Sequence, residues 1–169
     1  ITQQLAKTLF PRDTTSTNFP GGKYIRLATN KFKEWITAVK LERNYSKDEI
    51  MAMYMNAIFF GSNAYGIKAA SQTFFAKAPS ELTVEEAATL VGMVNKPTRY
   101  NPVLNPDKSL VRRNFVISQM EKAGFISKEE CDSIQQVPIA LSYQIQDHNA
   151  GLGPYFRDML RRTMNAKEP

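Results

Sequence analysis

The stretch from Asn30 to Glu42 constrains this chain more than any other, because it lays down two helical stripes at once. Phe32, Trp35, Ile36 and Val39 recur at i, i+3, i+4 and i+7, the period of an α-helix with one continuous apolar face. That stripe is expected to be core. Lys31, Glu34 and Ala38 fall on another face, so a carboxylate stands one turn from an ammonium, beside a residue too small to fill the space. A ligand can enter there, although a Lys/Glu pair taken alone reads as a weak, solvated ion pair.

The rest of the chain reads as further helices. Ile1 to Leu9 has Leu5 and Leu9 on one face and suits the tail of a helix. Phe10 to Tyr24, with Pro11, Pro20, Gly21 and Gly22, has no period and reads as a long loop. Phe10 and Phe19 inside it either reach something outside the domain or tuck the loop onto its own core. Ser46 with Glu49, Thr83 with Glu86 and Ser127 with Glu130 are capping boxes, each opening a helix. The first runs towards Gly61 on Ile50, Met53, Tyr54, Ala57 and Ile58; the second carries Ala87, Leu90, Val91 and Val94 on one side. A glycine-punctuated turn from Gly61 to Gly66 leads into an Ala-rich helix, Ile67 to Lys77. Asn105-Pro106 supplies a cap and an N1 proline for a helix through Val111, Phe115, Val116 and Met120 to a C′ glycine at Gly124. From Gln136 to His148 the apolar residues alternate, as in an extended connection, and Tyr155 to Met164 resumes a helix with Phe156, Met159 and Leu160 inward.

Size and charge bound the function. With 169 residues, 43% of them hydrophobic, the chain can bury one sizeable core. A net charge of +6 favours an anionic partner: nucleic acid, a phosphorylated small molecule or an anionic lipid surface. Lysines and arginines are nevertheless spread over most helices rather than clustered between aromatics, which argues against nucleic acid. The single cysteine, Cys131, excludes an internal disulfide and suits an ordinary semi-buried thiol. No apolar run reaches the roughly 18–20 residues of a membrane span, and the abrupt start at Ile1 reads as a piece of a longer chain.

Four ordered groups of residues carry a family resemblance. They are Ile1-Thr-Gln-Gln-Leu-Ala-Lys7; Lys31-x-x-Glu34 with Ala38 and Leu41-Glu42; Tyr54-x-Asn56 with Phe60-Gly61, Tyr65-Gly66-Ile67 and Ala69-Ala70; and Glu86-Ala87 with Pro97, Tyr100-Asn101-Pro102 and Arg112-Arg113. Together they resemble the peptidoglycan glycosyltransferase domain of bifunctional class A penicillin-binding proteins, from residue 1 to about residue 122. The resemblance implies a mainly α, lysozyme-like lobe over 1–135 with a mobile, membrane-facing loop at 10–24, and a linker and helix over 136–169 leading towards a transpeptidase domain. Two departures stand out. The family's first motif, with the glutamate taken to deprotonate the acceptor hydroxyl, would lie upstream of Ile1, so the chain by itself is expected to be inactive. Asn30 also stands where the family usually has Arg.

The implied reaction joins a lipid-pyrophosphoryl glycan to a hydroxyl of another lipid-linked disaccharide, with lipid II and the growing glycan chain as substrates at the extracytoplasmic face of the membrane. It needs a base at the hydroxyl and positive charge on the departing pyrophosphate. Glu34 is the candidate catalytic residue. Arg26, Lys7 and Lys31 are the candidate pyrophosphate-binding cations, and Gln4 and Asn56 the candidate neutral contacts to sugar or phosphate, with Gln3 beside them. Glu34 would hold a divalent cation (magnesium or manganese) on the pyrophosphate, orient Lys31 or Arg26, or assist the leaving group. The competing readings are a lysozyme-type glycan hydrolase, which would need two carboxylates across one cleft and no cation cluster, and a basic nucleic-acid-binding module.

Overall fold

The computed structural model describes residues 1–10 and 22–144, with Met159 and Thr163 beyond them. Among these residues the chain forms α1 (Thr2–Leu9), α2 (Gly22–Asn44), α3 (Lys47–Ala57), β1 (Phe59–Gly61), β2 (Ala64–Tyr65), α4 (Ile67–Phe75), α5 (Val84–Val94), α6 (Pro106–Lys122) and α7 (Lys128–Gln136). The fold is mainly α.

Local chemistry accounts for the helix ends. The boxes at Ser46 and Ser127 are complete and the one at Thr83 is half formed: all three donate their backbone N–H to the carboxylate three residues on, at 2.8, 2.8 and 2.9 Å, but only the two serine hydroxyls accept the return bond, at 3.3 and 3.2 Å. These bonds hold the Glu49 and Glu130 carboxyls below the usual range. At the end of α6 Gly124 takes φ +76°, and Phe125 and Gly124 donate back to the carbonyls of Met120 and Glu121 at 3.0 and 2.9 Å, closing a Schellman motif. Asn105 does not cap α6 with its side chain; its amide donates instead to the Thr98 carbonyl at 3.3 Å.

The sequence pattern gave no sign of the hairpin between α3 and α4. Strands β1 and β2 are antiparallel, pairing Phe59 with Tyr65 and Gly61 with Ala64. Its turn places Ser62 and Asn63 in the left-handed region, at φ 49° and 59°. The buried Asn101 side chain pins that turn, donating to Ser62 Oγ at 3.1 Å and accepting from the Val103 N–H at 2.9 Å.

Two apolar clusters form the core. Ile58, Phe60, Ala64, Ala70, Phe74, Phe75, Leu90 and Met93 fill the space between the hairpin, α4 and α5. Ala88, Ile117 and Cys131 join α5 to α6 and α7. The Arg113 guanidinium is wholly buried beside them, donating to Asn114 Oδ1 at 2.9 Å and to the Gln135 carbonyl at 3.2 Å. Desolvation lowers its pKa, opposed by the charge of Glu85. Residues 139–143 keep the expected alternation, with Ile139, Leu141 and Tyr143 turned onto the first cluster. Helix α1 lies against α2 and α3.

Several expected faces are turned the other way. On α2 the buried residues are Asn30, Glu34 and Ala38, whereas Phe32, Trp35 and Ile36 are exposed, so the apolar stripe is not core. On α6 Ser109, Arg113 and Ile117 are inside; Val111 and Phe115 face out, as does Val91 on α5. Leu5 is buried but Leu9 is exposed, and Met159 is exposed rather than inward. On α2 and α6 the apolar residues keep a helical period, but the buried stripe is a different one. Helix α2 also begins at Gly22, so residues 22–24 are helical rather than loop. Of the loop expected at 10–24, Phe10 is exposed and residues 11–21 lie outside the described residues, as does the rest of the linker and helix beyond residue 144 apart from Met159 and Thr163.

Candidate active site

Helix α2 presents the charged pair. Glu34 is 7% exposed, and Lys31 Nζ donates to its Oε2 at 2.8 Å while remaining 64% exposed. A buried carboxylate is stable only when paired or hydrogen-bonded, and this one is held by an ammonium whose outer side stays open to an anionic ligand. One turn before Glu34 on the same face is Asn30, and one turn before that is Arg26, half-buried.

Helix α1 is fixed onto α2 and α3 by polar contacts at its start. Thr2 Oγ1 donates to the Glu42 carboxylate, which Lys47 also binds from the first turn of α3. The Lys47 bond, then the Thr2 bond, keeps the Glu42 carboxyl below its ordinary value. Tyr54 Oη donates to Gln4 Oε1 at 3.3 Å, and burial raises the pKa of this phenol. The sequence pattern had placed Tyr54 only on an apolar face; its partner lies on another helix, and no local pattern reports that. Lys7 sits on the exposed side of α1.

Two open grooves flank these helices. One, of about 400 Å³, is lined by Ile1, Thr2, Gln3, Trp35, Ala38 and Glu42, among others. The second, of about 510 Å³, lies between Leu9 of α1 and Tyr45, Glu49, Met53 and Asn56. Thus Arg26, Lys31 and Glu34 share one helix and Gln4 and Lys7 lie on the helix packed against it, while Asn56 lines a groove that none of the three cations lines. Among the described residues no three acidic, histidine or cysteine side chains gather as a metal cage.

A buried carboxylate under an exposed ammonium, in a helical lobe of net charge +6, leaves positive charge open to an anionic ligand. Comparison with known proteins makes this specific. The Transglycosylase family model matches residues 1–121. Penicillin-binding protein 1A of Pseudomonas aeruginosa is 35% identical over 97% of this chain and 18% of its own length. Penicillin-binding protein 1A/1B of Bacillus subtilis is 52% identical over 64% of this chain and 12% of its own. The crystal structure of penicillin-binding protein 1A from Haemophilus influenzae superposes with a TM-score of 0.56 at 37% identity, over 72% of this chain and 17% of that one. The chain therefore belongs to the Transglycosylase family, and its fold is a lysozyme-like helical lobe. It spans less than a fifth of the length of each of these relatives.

Proposed function

We propose that this chain carries most of a peptidoglycan glycosyltransferase site, which polymerises lipid II into glycan strands. The observation that carries this reading is the buried Glu34 carboxylate held at 2.8 Å by an exposed Lys31, on a helix inside the family-matched residues. In the proposed reaction a base takes the proton of the acceptor sugar hydroxyl. The oxygen attacks the anomeric carbon of the donor opposite the pyrophosphate, and the bond to the pyrophosphate breaks with its electron pair going to the leaving group. Configuration inverts.

Lys31, Arg26 and Lys7 stabilise the charge gathering on that pyrophosphate, Arg26 as a planar fork and the lysines as point charges. Glu34 fixes the Lys31 ammonium where the leaving oxygens arrive. Gln4, oriented by Tyr54, and Asn56 supply neutral contacts to the sugars. The base in this reading is a glutamate other than Glu34. A divalent cation on the pyrophosphate would find Glu34 as its protein ligand, with an ammonium already on one oxygen; the diphosphate itself would have to supply most of the coordination. A lysozyme-type hydrolysis is disfavoured by that same ammonium, because that reaction calls for two carboxylates across one cleft and no cation cluster.

The reading includes a membrane surface as partner on the extracytoplasmic side. The exposed apolar residues Phe10, Tyr24, Ile25 and Leu27, beside residues 11–21, support it. The reading also includes a transpeptidase domain in the same parent chain, which the penicillin-binding protein names of the relatives support. The test is polymerisation of lipid-linked disaccharide by a full-length protein carrying this chain. Glu34→Gln is expected to lower the rate by at least two orders of magnitude with the fold intact, while this chain alone shows no turnover. Unchanged activity of the Gln variant would return Glu34 to a plain structural ion pair.

A further inference from the structure

A small cavity of about 40 Å³ lies between α5 and α6 against residues 137–140, lined by Glu85, Glu86, Thr89 and Arg113, and none of the candidate site residues lines it. Arg113 is wholly buried. Its Nε and Nη2 both donate to Asn114 Oδ1, at 3.0 and 2.9 Å, and Nη2 also donates to the Gln135 carbonyl at 3.2 Å. That leaves Nη1, on the far side of the planar fork, as a buried nitrogen with no protein partner. Ser109 Oγ and Arg112 Nε are also buried without a partner, but neither residue lines this cavity. Glu85, in the first turn of α5, is the carboxylate whose charge acts on Arg113, yet the two form no direct ion pair.

A charged donor left inside without an acceptor is costly, so the cavity should hold something that accepts from Nη1. The charges around it narrow the choice. Lys77 donates to both oxygens of Glu86, at 2.7 and 2.9 Å, and Arg113 faces Glu85, so two cations are balanced by two carboxylates and no surplus positive charge remains to hold a small anion. A neutral molecule that both accepts and donates fits this balance. At about 10–15 Å³ per molecule the space suits roughly one to three waters, and a buried water needs two to four polar partners. The Arg113 N–H, the Glu85 carboxylate and the Thr89 hydroxyl, which donates to the Glu85 carbonyl at 2.7 Å and keeps its lone pairs free, supply them. We propose that this cavity is a bound-water site in which water accepts from Arg113 Nη1 and donates to the Glu85 carboxylate, with the Thr89 oxygen as a further acceptor. The water stands in for a direct ion pair and ties the first turn of α5 to the middle of α6.

The test is a high-resolution crystal structure of a full-length protein carrying this chain, from crystals grown with bromide in place of chloride. Ordered water is expected within about 2.7–3.2 Å of both Nη1 and a Glu85 carboxylate oxygen, with no anomalous bromide signal in the cavity. An empty cavity, a bromide peak there, or the Glu85 carboxylate turned directly onto Nη1 would each overturn the proposal. Thermal unfolding of the same protein gives a second, independent reading. Glu85→Leu, which removes the acceptor and keeps the bulk, is expected to lower the Tm of this lobe by about 2–4 °C, and Glu85→Gln, which keeps an oxygen for the water, by less. Both losses should shrink in an Arg113→Met background, where no charged donor remains. An unchanged Tm for Glu85→Leu, or equal losses with and without Arg113, would mean that Glu85 acts on α5 alone and would sink the bridge. If Arg113→Met fails to fold, the bromide crystals and the single Glu85 variants still decide.

Discussion

Gly66 and Gly124 both take positive φ, at +81° and +76°, yet the two should respond very differently to a methyl group. A Cβ on Gly66 would stand 2.6 Å from the Asn56 carbonyl oxygen, backbone that cannot move without shifting the end of α3. A Cβ on Gly124 would meet nothing within 4 Å. Gly124→Ala is therefore expected to cost only the left-handed strain, about 1 kcal/mol, whereas Gly66→Ala should cost about 2–4 kcal/mol because the clash is added. Urea unfolding of both variants checks this, and equal losses would show that conformation alone decides. The consequence reaches the site, because Asn56 lines the groove beside Leu9. A glycine that looks like turn punctuation in the sequence thus fixes a candidate ligand contact. What the sequence could show at this scale was chemistry, not partnership: Glu34 and Lys31 were legible as a pair from their spacing. Gln4 with Tyr54, and the burial of Asn30, depend on which helix α2 and α3 meet.

At the scale of elements, helix starts were the most legible feature, because a capping box is complete within four residues. The Thr83 box also does more than start α5. Glu86 accepts from the Thr83 N–H at 2.9 Å and from Lys77 Nζ at 2.7 Å, clipping the chain just after α4 to the first turn of α5. Burial raises the pKa of this carboxyl, but the Lys77 and Thr83 bonds outweigh it and hold the group below its ordinary value. A depressed folded-state pKa contributes stability above the unfolded pKa of about 4.3 and loses it as pH falls through the folded value. Glu86→Gln is accordingly expected to cost about 1 kcal/mol at neutral pH, Lys77 being partly solvated, with the difference shrinking as the pH drops below about 4. Denaturant curves at pH 7 and pH 3 test this; the same loss at both would make the box, not the charge, responsible. Helix faces were less legible than helix starts. The period along α2 grouped Phe32 with Trp35 and Ile36 correctly, but periodicity cannot say which stripe a neighbour will cover. Here α1 lies against α2, and the stripe turned inward carries Asn30 and Glu34, so burial follows the candidate site rather than the largest apolar side chains. The hairpin was illegible for another reason: strands of three and two residues carry no period, and its left-handed turn is imposed from Asn101.

At the scale of the molecule the question is where the lobe ends. The family model stops at residue 121, but the P. aeruginosa relative aligns over 164 residues, and the chain beyond α7 does not leave the core. Ser142 and Gln144 donate their backbone N–H groups to the carbonyls of Phe74 and Thr73 at 3.0 and 2.8 Å. These carbonyls belong to the last turn of α4, which has no helical donors left to satisfy them, so the extended segment serves as the cap of that helix. Between the two bonds Tyr143 stacks on Phe74 with ring centroids 5.7 Å apart, and Leu141 lies on the same cluster. We propose that the glycosyltransferase lobe extends to about residue 144 and that the connection to any following domain begins after it. If so, Leu141→Ala combined with Tyr143→Ala should destabilise the lobe by about 3 kcal/mol, the burial lost by two half-covered side chains and the space they leave. The corresponding fall in Tm is roughly 6–12 °C for a chain of this size. Ser142→Ala, which keeps the backbone donor and removes only an exposed hydroxyl, should change Tm by less than about 2 °C. A double variant as stable as the parent would mean that residues 137–144 merely rest on the lobe. A loss confined to the double variant would mean that the end of α4 and the core beneath it, which supports the hairpin, depend on the segment.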